Sequence, residues 1–532
     1  MEPLRGSAAG TTSGGVHAAP RPLRTMTGTN VLVRLDGRGP AYQQIYRALR
    51  AMILAGEFGK ESRLPATRAL AHQLGVSRNI VLLAYRHLLH EGYAGGKTGS
   101  GTYVAPELPD AILQAPPRDR VTSQAPTAPR LSAFARRLAA PSLVQKIGRD
   151  RAAPYDFRYG LPVADAFPFP LWRRLVASQA RLASAESLRY GGPEGYPPLR
   201  EAIADYLRRS RAVDCHADQV VVTNGSQQAL DLAARVLVDA GDRVVLEEPH
   251  YPGAREAFLG AGARLIPVPV DGEGLEVARL GRLARSARVV SVTPSHQFPT
   301  GVVMSLARRL ALLRWAEDTG AYVIEDDYES EFRYERRPVE AIQGLDRRGR
   351  VIYLGTLSKV LFPALRLGYV VLPETLVGPF RAAKWVADRQ TSTFFQEVVA
   401  GLIRDGHFER HVRRARAMLM GRRRALLEAI RTHLGNAVEV SGSDAGLHLL
   451  MWIRGMRAGT SLDGLIKRAA GAGVGIYPIA PYYLTPPRQA GLFLGYAGLD
   501  ESRIRIGIER LATVLRGNQV TRRPELRPAR RA

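Results

Sequence analysis

Lys359 stands in Thr356-Leu357-Ser358-Lys359, directly after an apolar run, Val351 to Leu354, that reads as a short strand. A lysine amine can form an imine with an aldehyde. Ser358, together with Arg366 seven residues beyond the lysine, supplies groups that hold a phosphate at the other end of such a ligand. Arginine suits that task because its planar fork meets two phosphate oxygens at once. Upstream, the strand Ala321 to Glu325 feeds Asp326-Asp327-Tyr328. A carboxylate at a strand end can pair with a protonated pyridine nitrogen and sustain that ring as an electron sink, and Tyr328 can donate to a phenolate oxygen on it. Asn224-Gly225-Ser226-Gln227-Gln228-Ala229 follows the strand Gln219 to Thr223; its successive amides and the Ser226 hydroxyl form a phosphate cradle at a helix start. Tyr251, in Glu248-Pro249-His250-Tyr251-Pro252-Gly253, is suited to stacking on a planar ring. Taken singly, each has a plain structural counterpart: a capping turn, a packed tyrosine, a surface lysine. In this order along one chain they describe one pocket with Lys359 as its reactive group.

Such a pocket needs a frame, and the sequence around it alternates helical patterns with short apolar runs, the signature of α/β architecture. Further strands are expected at Arg243 to Glu247, Arg264 to Val268, Arg288 to Thr293 and Arg366 to Val371. A long helical stretch, Gln396 to Thr432, follows, and then strands near Leu447 to Ile453 and Arg503 to Ile508. The expectation is a large parallel-sheet domain with a smaller α+β domain.

Ahead of this body lies a small basic head. Tyr42 to Ala55 reads as a helix with Ile45, Leu49, Met52 and Ile53 on one face. Leu64-Pro65 opens a second, Thr67 to Leu74, proline being well suited to a helix start. Gly75 makes the turn, and Ser77 caps a third helix whose Ile80, Val81, Ala84, Leu88 and Leu89 face the core while Arg78, Asn79 and Arg86 stay outside. Helix, glycine turn, helix is the unit that places its second helix in the major groove of DNA. Lys97-Thr98-Gly99-Ser100-Gly101-Thr102-Tyr103-Val104 then reads as a hairpin wing, with Lys97 and its amides toward phosphates or minor-groove edges. The formal charge of +26, from 75 basic and 49 acidic residues, favours the same kind of anionic partner.

The rest of the composition narrows the class. One cysteine, Cys215, excludes an intramolecular disulfide framework and a thiolate metal cluster. No apolar run reaches the 18 or so residues of a membrane span, and no signal-peptide core precedes the head, so a cytoplasmic protein is expected. Expected boundaries are a flexible leader at 1–30, the head at 31–104, a Pro-, Ala- and Arg-rich linker at 105–154 with a short helix around Leu131 to Leu138, the body at 155–518 and a basic tail at 519–532.

The head resembles the winged helix-turn-helix of the GntR superfamily, through ESRLPATRALAHQLGVSRNIVLLAYRHLLHEGY followed by GSGTYV. That resemblance implies Arg63, Arg68, Ser77 and Arg78 as DNA contacts, with Asn79 and Lys97 as weaker ones. Lys60, Ala66 and Asn79 replace a usual proline, serine and threonine. The body resembles the fold type I aminotransferases, through LRYGGPEGYPPLREAIADYL, TNGSQQALDL, PHYPG, PTG at Pro299 to Gly301, EDDY and GTLSKVLFPALRLGY. It implies pyridoxal phosphate (PLP) as cofactor, with Lys359 as Schiff-base lysine, Asp326 on the pyridine nitrogen, Tyr328 on the ring oxygen and Tyr251 on the ring face. Ser226, Gln227, Ser358 and Arg366 would bind phosphate, Tyr190 would reach the neighbouring subunit's phosphate, and Arg505 would grip a substrate carboxylate. Where that family carries asparagine before Pro-Thr-Gly, this chain has Phe298, preceded by His296 and Gln297, each a candidate effector contact that substitutes for the asparagine or else a hydrogen-bonder within its own loop.

Winged head, linker and aminotransferase-like body together resemble the MocR family of bacterial transcription regulators over nearly the whole chain. The resemblance implies a domain-swapped homodimer that binds double-stranded DNA and responds to PLP, an amino acid or another amine. Two other readings stay open at this point: an active aminotransferase with an accessory DNA-binding head, and a PLP-bearing scaffold without sequence-specific DNA recognition.

Overall fold

The computed structural model describes residues 33–97, 101–109, 129–138, 153–185, 187, 189–334, 340–442 and 445–520. The expected leader, most of the linker, Thr98 to Ser100 of the wing, and the tail from Thr521 lie outside these. The chain divides into two compact units, Met1–Pro129 and Arg130–Ala532.

In the first unit, α1 (Ala41–Leu54), α2 (Thr67–Leu74) and α3 (Arg78–His90) precede the antiparallel pair β1 (Ala94–Lys97) and β2 (Gly101–Val104). Residues i, i+4 and i+8 of α1, namely Ile45, Leu49 and Ile53, are buried against Leu70, Val81, Ala84 and Leu88, the spacing that keeps side chains on one helical face. Tyr85 joins this core and donates to the Pro65 carbonyl at 2.7 Å, whereas Leu89, expected inside, is 39% exposed. Gly75 ends α2 in the left-handed region at φ +63°, which a side chain would resist.

The second unit opens with a single-turn helix, α4 (Ala133–Arg137), where a short linker helix was expected. The main sheet has eight strands: β3 (Val220–Thr223), β4 (Arg243–Glu248), β5 (Arg264–Asp271), β6 (Gly274–Leu275), β7 (Ala287–Val292), β8 (Tyr322–Asp327), β9 (Val351–Thr356) and β10 (Gly368–Val371). Their order is β3-β10-β9-β8-β7-β4-β5-β6; β10 runs antiparallel to β3 and β9, while the pairs from β9 through β5 are parallel. Val220, Val221 and Val222, and all of β9, are buried, as a sheet covered on both faces requires. Helices α5 (Ser226–Leu237) and α6 (Pro252–Ala261) follow β3 and β4.

Beyond the sheet come α7 (Glu374–Asp388), α8 (Thr393–Arg404) and α9 (His407–His433). The helical stretch expected from Gln396 to Thr432 is thus broken at Asp405–Gly406, with Gly406 at φ +66°. A four-stranded antiparallel sheet, order β11-β12-β14-β13, is made of β11 (Val438–Ser441), β12 (His448–Arg457), β13 (Tyr477–Pro478) and β14 (Gln489–Gly495). The strand expected at Arg503 to Ile508 is instead the start of helix α10 (Glu501–Val520). Ile504, Ile508, Leu511 and Leu515 are buried there, and this helical period overrides the alternation of Ile504-Arg505-Ile506.

Candidate functional site

Register brings the candidate residues to one edge of the main sheet. Leu354 of β9 pairs with Asp326 of β8, Thr356 with Gly368 of β10, and Gly368 with Thr223 of β3. The segments after Thr223, Asp326 and Thr356 therefore leave the sheet side by side, at the carboxyl ends of parallel strands, where open α/β sheets bind ligands.

Alternation along β8 separates two adjacent aspartates. Asp327 is engaged through one oxygen: Arg211 pairs with its Oδ2 at 2.9 Å in a buried ion pair and the Tyr353 hydroxyl donates to the same oxygen at 2.6 Å, while its Oδ1 is buried without a hydrogen-bond partner. Asp326 is buried too, and its Oδ1 has no hydrogen-bond partner. Burial, reinforced by the Asp327 charge and opposed by Lys359, pushes its carboxyl up to about 7. A buried carboxylate with a free oxygen is the kind of group that a cationic N–H partner would satisfy.

Lys359 is partly exposed, with its Nζ 4.3 Å from the Tyr159 ring centre. Burial lowers the ammonium below its usual range, against the opposing pull of Glu329 and Asp326, which moves the amine toward its nucleophilic form. A side chain at Gly160 would sit 3.0 Å from that nitrogen, so the glycine keeps the approach open.

The phosphate side is built from the start of α5. Gly225, at φ +86°, precedes Ser226 at the first position of the helix, and the Arg366 guanidinium lies against it, donating to the Asn224 carbonyl at 2.6 Å. Arg366 itself occupies the left-handed region at φ +53°, an uncommon conformation for a residue with a side chain. Asn224 and Gln228 are tied to Asp388 of α7, which also pairs with the buried Lys384 at 2.9 Å. Gln227 donates to Gly253 O at 3.0 Å, and Ser358 flanks Lys359 with its amide on Thr356 Oγ1 at 3.2 Å.

Tyr251, the residue before α6, packs edge-on against Phe298 with ring centres 5.6 Å apart. Tyr328 is 5.7 Å from the same ring, and its hydroxyl lies 3.1 Å from His296 Nδ1. His296 Nδ1 is also 2.6 Å from Glu329, whose carboxylate is 3.5 Å from His448 Nδ1. Burial would raise Glu329, but His296 first, and Lys359 beyond it, hold it below its usual range. Burial lowers His448 to about 4, so the ring is neutral; its Nε2 donates to the Pro299 carbonyl at 3.0 Å.

Two expected effector contacts are placed elsewhere. Gln297 is buried with both ends of its amide used: Nε2 donates to Glu247, Pro249 O and Phe298 O, and Oε1 accepts from Thr300. It locks its own loop and offers no unused group. Arg505 points outward from α10, its side chain 52% exposed and 3.7 Å from Glu501. Tyr190 is 74% exposed, with Arg389 stacked over its ring at 5.5 Å.

In the head, Arg63, Arg68, Ser77, Arg78 and Asn79 are all exposed. Ser77 occupies the cap position of α3 but makes no capping bond with its side chain, contrary to expectation. Arg63 pairs through its backbone with Tyr103 and lies over Gly101 of β2. Arg78 reaches Thr67 Oγ1 at 3.5 Å, linking the starts of α2 and α3. Lys97 closes β1.

The residues that sequence reasoning missed are Tyr159, Glu329, His448 and Phe493. Phe493 stacks on His448 with ring centres 4.3 Å apart, and Tyr159 lies 5.1 Å from Phe493. Glu329 was within reach, being the next residue after Tyr328. The others come from distant segments and carry no local signal.

A model of bacterial regulatory proteins of the gntR family matches residues 41–104, and one of class I and II aminotransferases matches residues 164–511. A probable rhizopine catabolism regulatory protein of Rhizobium meliloti, MocR, is 42% identical over 90% of this chain and 94% of its own length. The chain belongs to the MocR-type gntR regulators. It is a DNA-binding regulator with an aminotransferase-like body, and among its described residues no helix is long and apolar enough to cross a membrane. The body is also similar to solved enzymes. The α-aminoadipate aminotransferase LysN of Thermus thermophilus, complexed with N-(5'-phosphopyridoxyl)-L-leucine, is 30% identical with a TM-score of 0.67, over 74% of this chain and 98% of that one. Pyrococcus horikoshii kynurenine aminotransferase, in complex with PMP, is 30% identical with a TM-score of 0.65, over 73% and 95%. PLP is accordingly the cofactor of this MocR-type body, and the free Asp326 oxygen and the Gly225–Arg366 cradle fit its two ends.

Proposed function

We propose that this MocR-type regulator controls transcription through the Lys359 pocket, binding DNA differently according to whether PLP or a small amine is held there. The observation that carries this reading is the placement of an unpaired, buried Asp326 oxygen and the Lys359 amine at the same sheet edge. When bound, PLP supplies an aldehyde that exchanges between amines and a ring that spreads charge. Around it Lys359 is the covalent anchor, Asp326 holds the pyridine nitrogen's proton, Tyr328 faces the ring oxygen and Tyr251 covers the ring. Ser226, Gln227, Ser358 and Arg366 take the phosphate, and His296 orients Tyr328.

The assembly is a domain-swapped homodimer in the cytoplasm, with the exposed Tyr190 serving the partner's phosphate. The head spans 31–104, the linker 105–154 and the body 155–518. Arg63, Arg68, Ser77, Arg78, Asn79 and Lys97 contact DNA, and the basic surplus adds affinity for phosphates. An amine held in the Lys359 pocket would alter its packing and, through the body, the binding of DNA by the two heads. The catalytic alternative is weakened by the outward position of Arg505, which removes the expected carboxylate clamp. Genome-wide DNA selection with the purified full chain, with and without PLP and then with an amine panel on the recovered site, tests the reading. A reproducible motif whose affinity changes with PLP or amine is expected; a motif indifferent to both would overturn it.

A further inference from the structure

The surroundings of Lys359 specify what kind of amine could be accepted there. Its nitrogen rests on Tyr159, and Tyr159 in turn meets Phe298, His448 and Phe493, with ring centres between 5.1 and 5.2 Å away. This wall is aromatic and neutral. The charged groups acting on the Lys359 amine are Glu329 and Asp326, both carboxylates. Arg366 is committed to the phosphate side against Gly225. Arg158, next to Tyr159 in the chain, pairs with Asp156 at 3.2 Å and bonds Tyr477. Arg505 faces outward.

Hydrogen-bonding capacity points the same way. With His448 Nε2 donating to Pro299, its Nδ1 is a bare acceptor, buried and without a partner, 3.5 Å from a second acceptor, Glu329. Such a corner is short of donors. A carboxylate, which only accepts, would enter beside Glu329, toward which His296 already turns its Nδ1 at 2.6 Å, and burying a charge without a cation of its own is costly. A hydroxyl can donate to Glu329 or His448, and aromatic faces tolerate both a cation and the C–H faces of a polyol.

We infer that the amine recognised at Lys359 is an amino alcohol or aminopolyol, carrying a positive charge and hydroxyl groups but no carboxylate. This rests on the amine-responsive reading proposed above and names the class of effector for that same pocket.

Matched pairs test it on the PLP-loaded full chain: 2-amino-1,3-propanediol against serine, and 4-aminobutanol against 4-aminobutanoate. Within each pair only the hydroxymethyl and carboxylate groups differ. The readouts are the change in the cofactor's visible absorbance and the shift of the thermal midpoint, titrated to give an apparent Kd. The alcohol member is expected to bind at least about tenfold more tightly, equivalent to about 1.4 kcal/mol. Phe493→Arg, which puts a cation into the wall, should narrow or reverse that ratio, and Glu329→Gln should narrow it by removing the repelling charge. Equal or tighter binding of the amino acids by the wild-type chain would overturn the inference while leaving amine sensing intact. No response to either member of either pair, in protein shown by mass to carry PLP, would instead count against amine sensing itself, and the inference would fall with it.

Discussion

Asp326→Asn converts the site's most exacting feature into a measurable difference. Burial raises the Asp326 carboxyl from an ordinary 3.8 to about 7 in the folded chain. Between those values the folded state binds a proton that the unfolded state has released, so stability falls as pH rises through the window. Above pH 7 the loss is complete. A shift of about three units at 1.36 kcal/mol each amounts to about 4 kcal/mol, an upper bound because the unpaired Oδ1 leaves room for water and relaxation. In the PLP-free chain at pH 8, Asp326→Asn should therefore be more stable than wild type by up to about 4 kcal/mol, and the advantage should shrink steadily toward pH 4. Urea unfolding of both proteins across that range gives the difference, in which the other buried carboxylates largely cancel. With PLP bound, the sign should invert, because asparagine does not supply the negative charge that a protonated pyridine needs. An unchanged or lower stability of the PLP-free variant at pH 8, or a difference that does not vary with pH, would refute the assignment of Asp326 as a buried carboxylate awaiting a partner.

Other expectations follow from the same geometry. Lys359→Ala should still bind PLP through the phosphate groups but lose covalent attachment, seen as no mass increase on the chain after borohydride treatment. Arg505→Ala should leave the response to PLP and amines unchanged, since the side chain faces solvent; a large loss of amine affinity would restore it to the pocket. In the head, Arg78→Ala should cost about 1–3 kcal/mol at one base pair and little elsewhere, as a base-reading arginine would. Binding measurements on single-substitution operators check this, and a uniform loss would make it a phosphate anchor. Tyr190→Phe should weaken PLP retention during dialysis if its hydroxyl serves the partner's phosphate, and an unchanged off-rate would remove it from the site.

The parts of the fold that were legible in the sequence are those with local physics. Thr67–Leu74 is bounded by Pro65 on one side and Gly75 on the other, and the helix has those ends. The valines of β3 and the apolar run of β9 announce a buried parallel sheet, and Asp326 and Lys359 each fall just where a strand ends or shortly beyond. Arg503 to Ile508 shows the limit: alternation over four residues looks like a strand, but the buried positions continue at helical spacing to Leu515. His448 and Phe493 were not legible because their roles arise from β12 and β14 pairing side by side, with His448 opposite Gly495. The choice between the two readings of Gln297 was not legible for a related reason. A polar residue in a loop beside the cofactor looks available, yet Glu247, from a strand fifty residues earlier, has already engaged it.

The most direct test of the central claim is the affinity of the full chain for its selected operator, measured for wild type and Lys359→Ala without PLP, with PLP and with PLP plus 2-amino-1,3-propanediol. If the Lys359 pocket governs DNA binding, the wild-type affinity changes among these states and the variant loses the response to the amine. A wild-type affinity that is the same in every state, or a variant that responds as wild type does, would contradict the account.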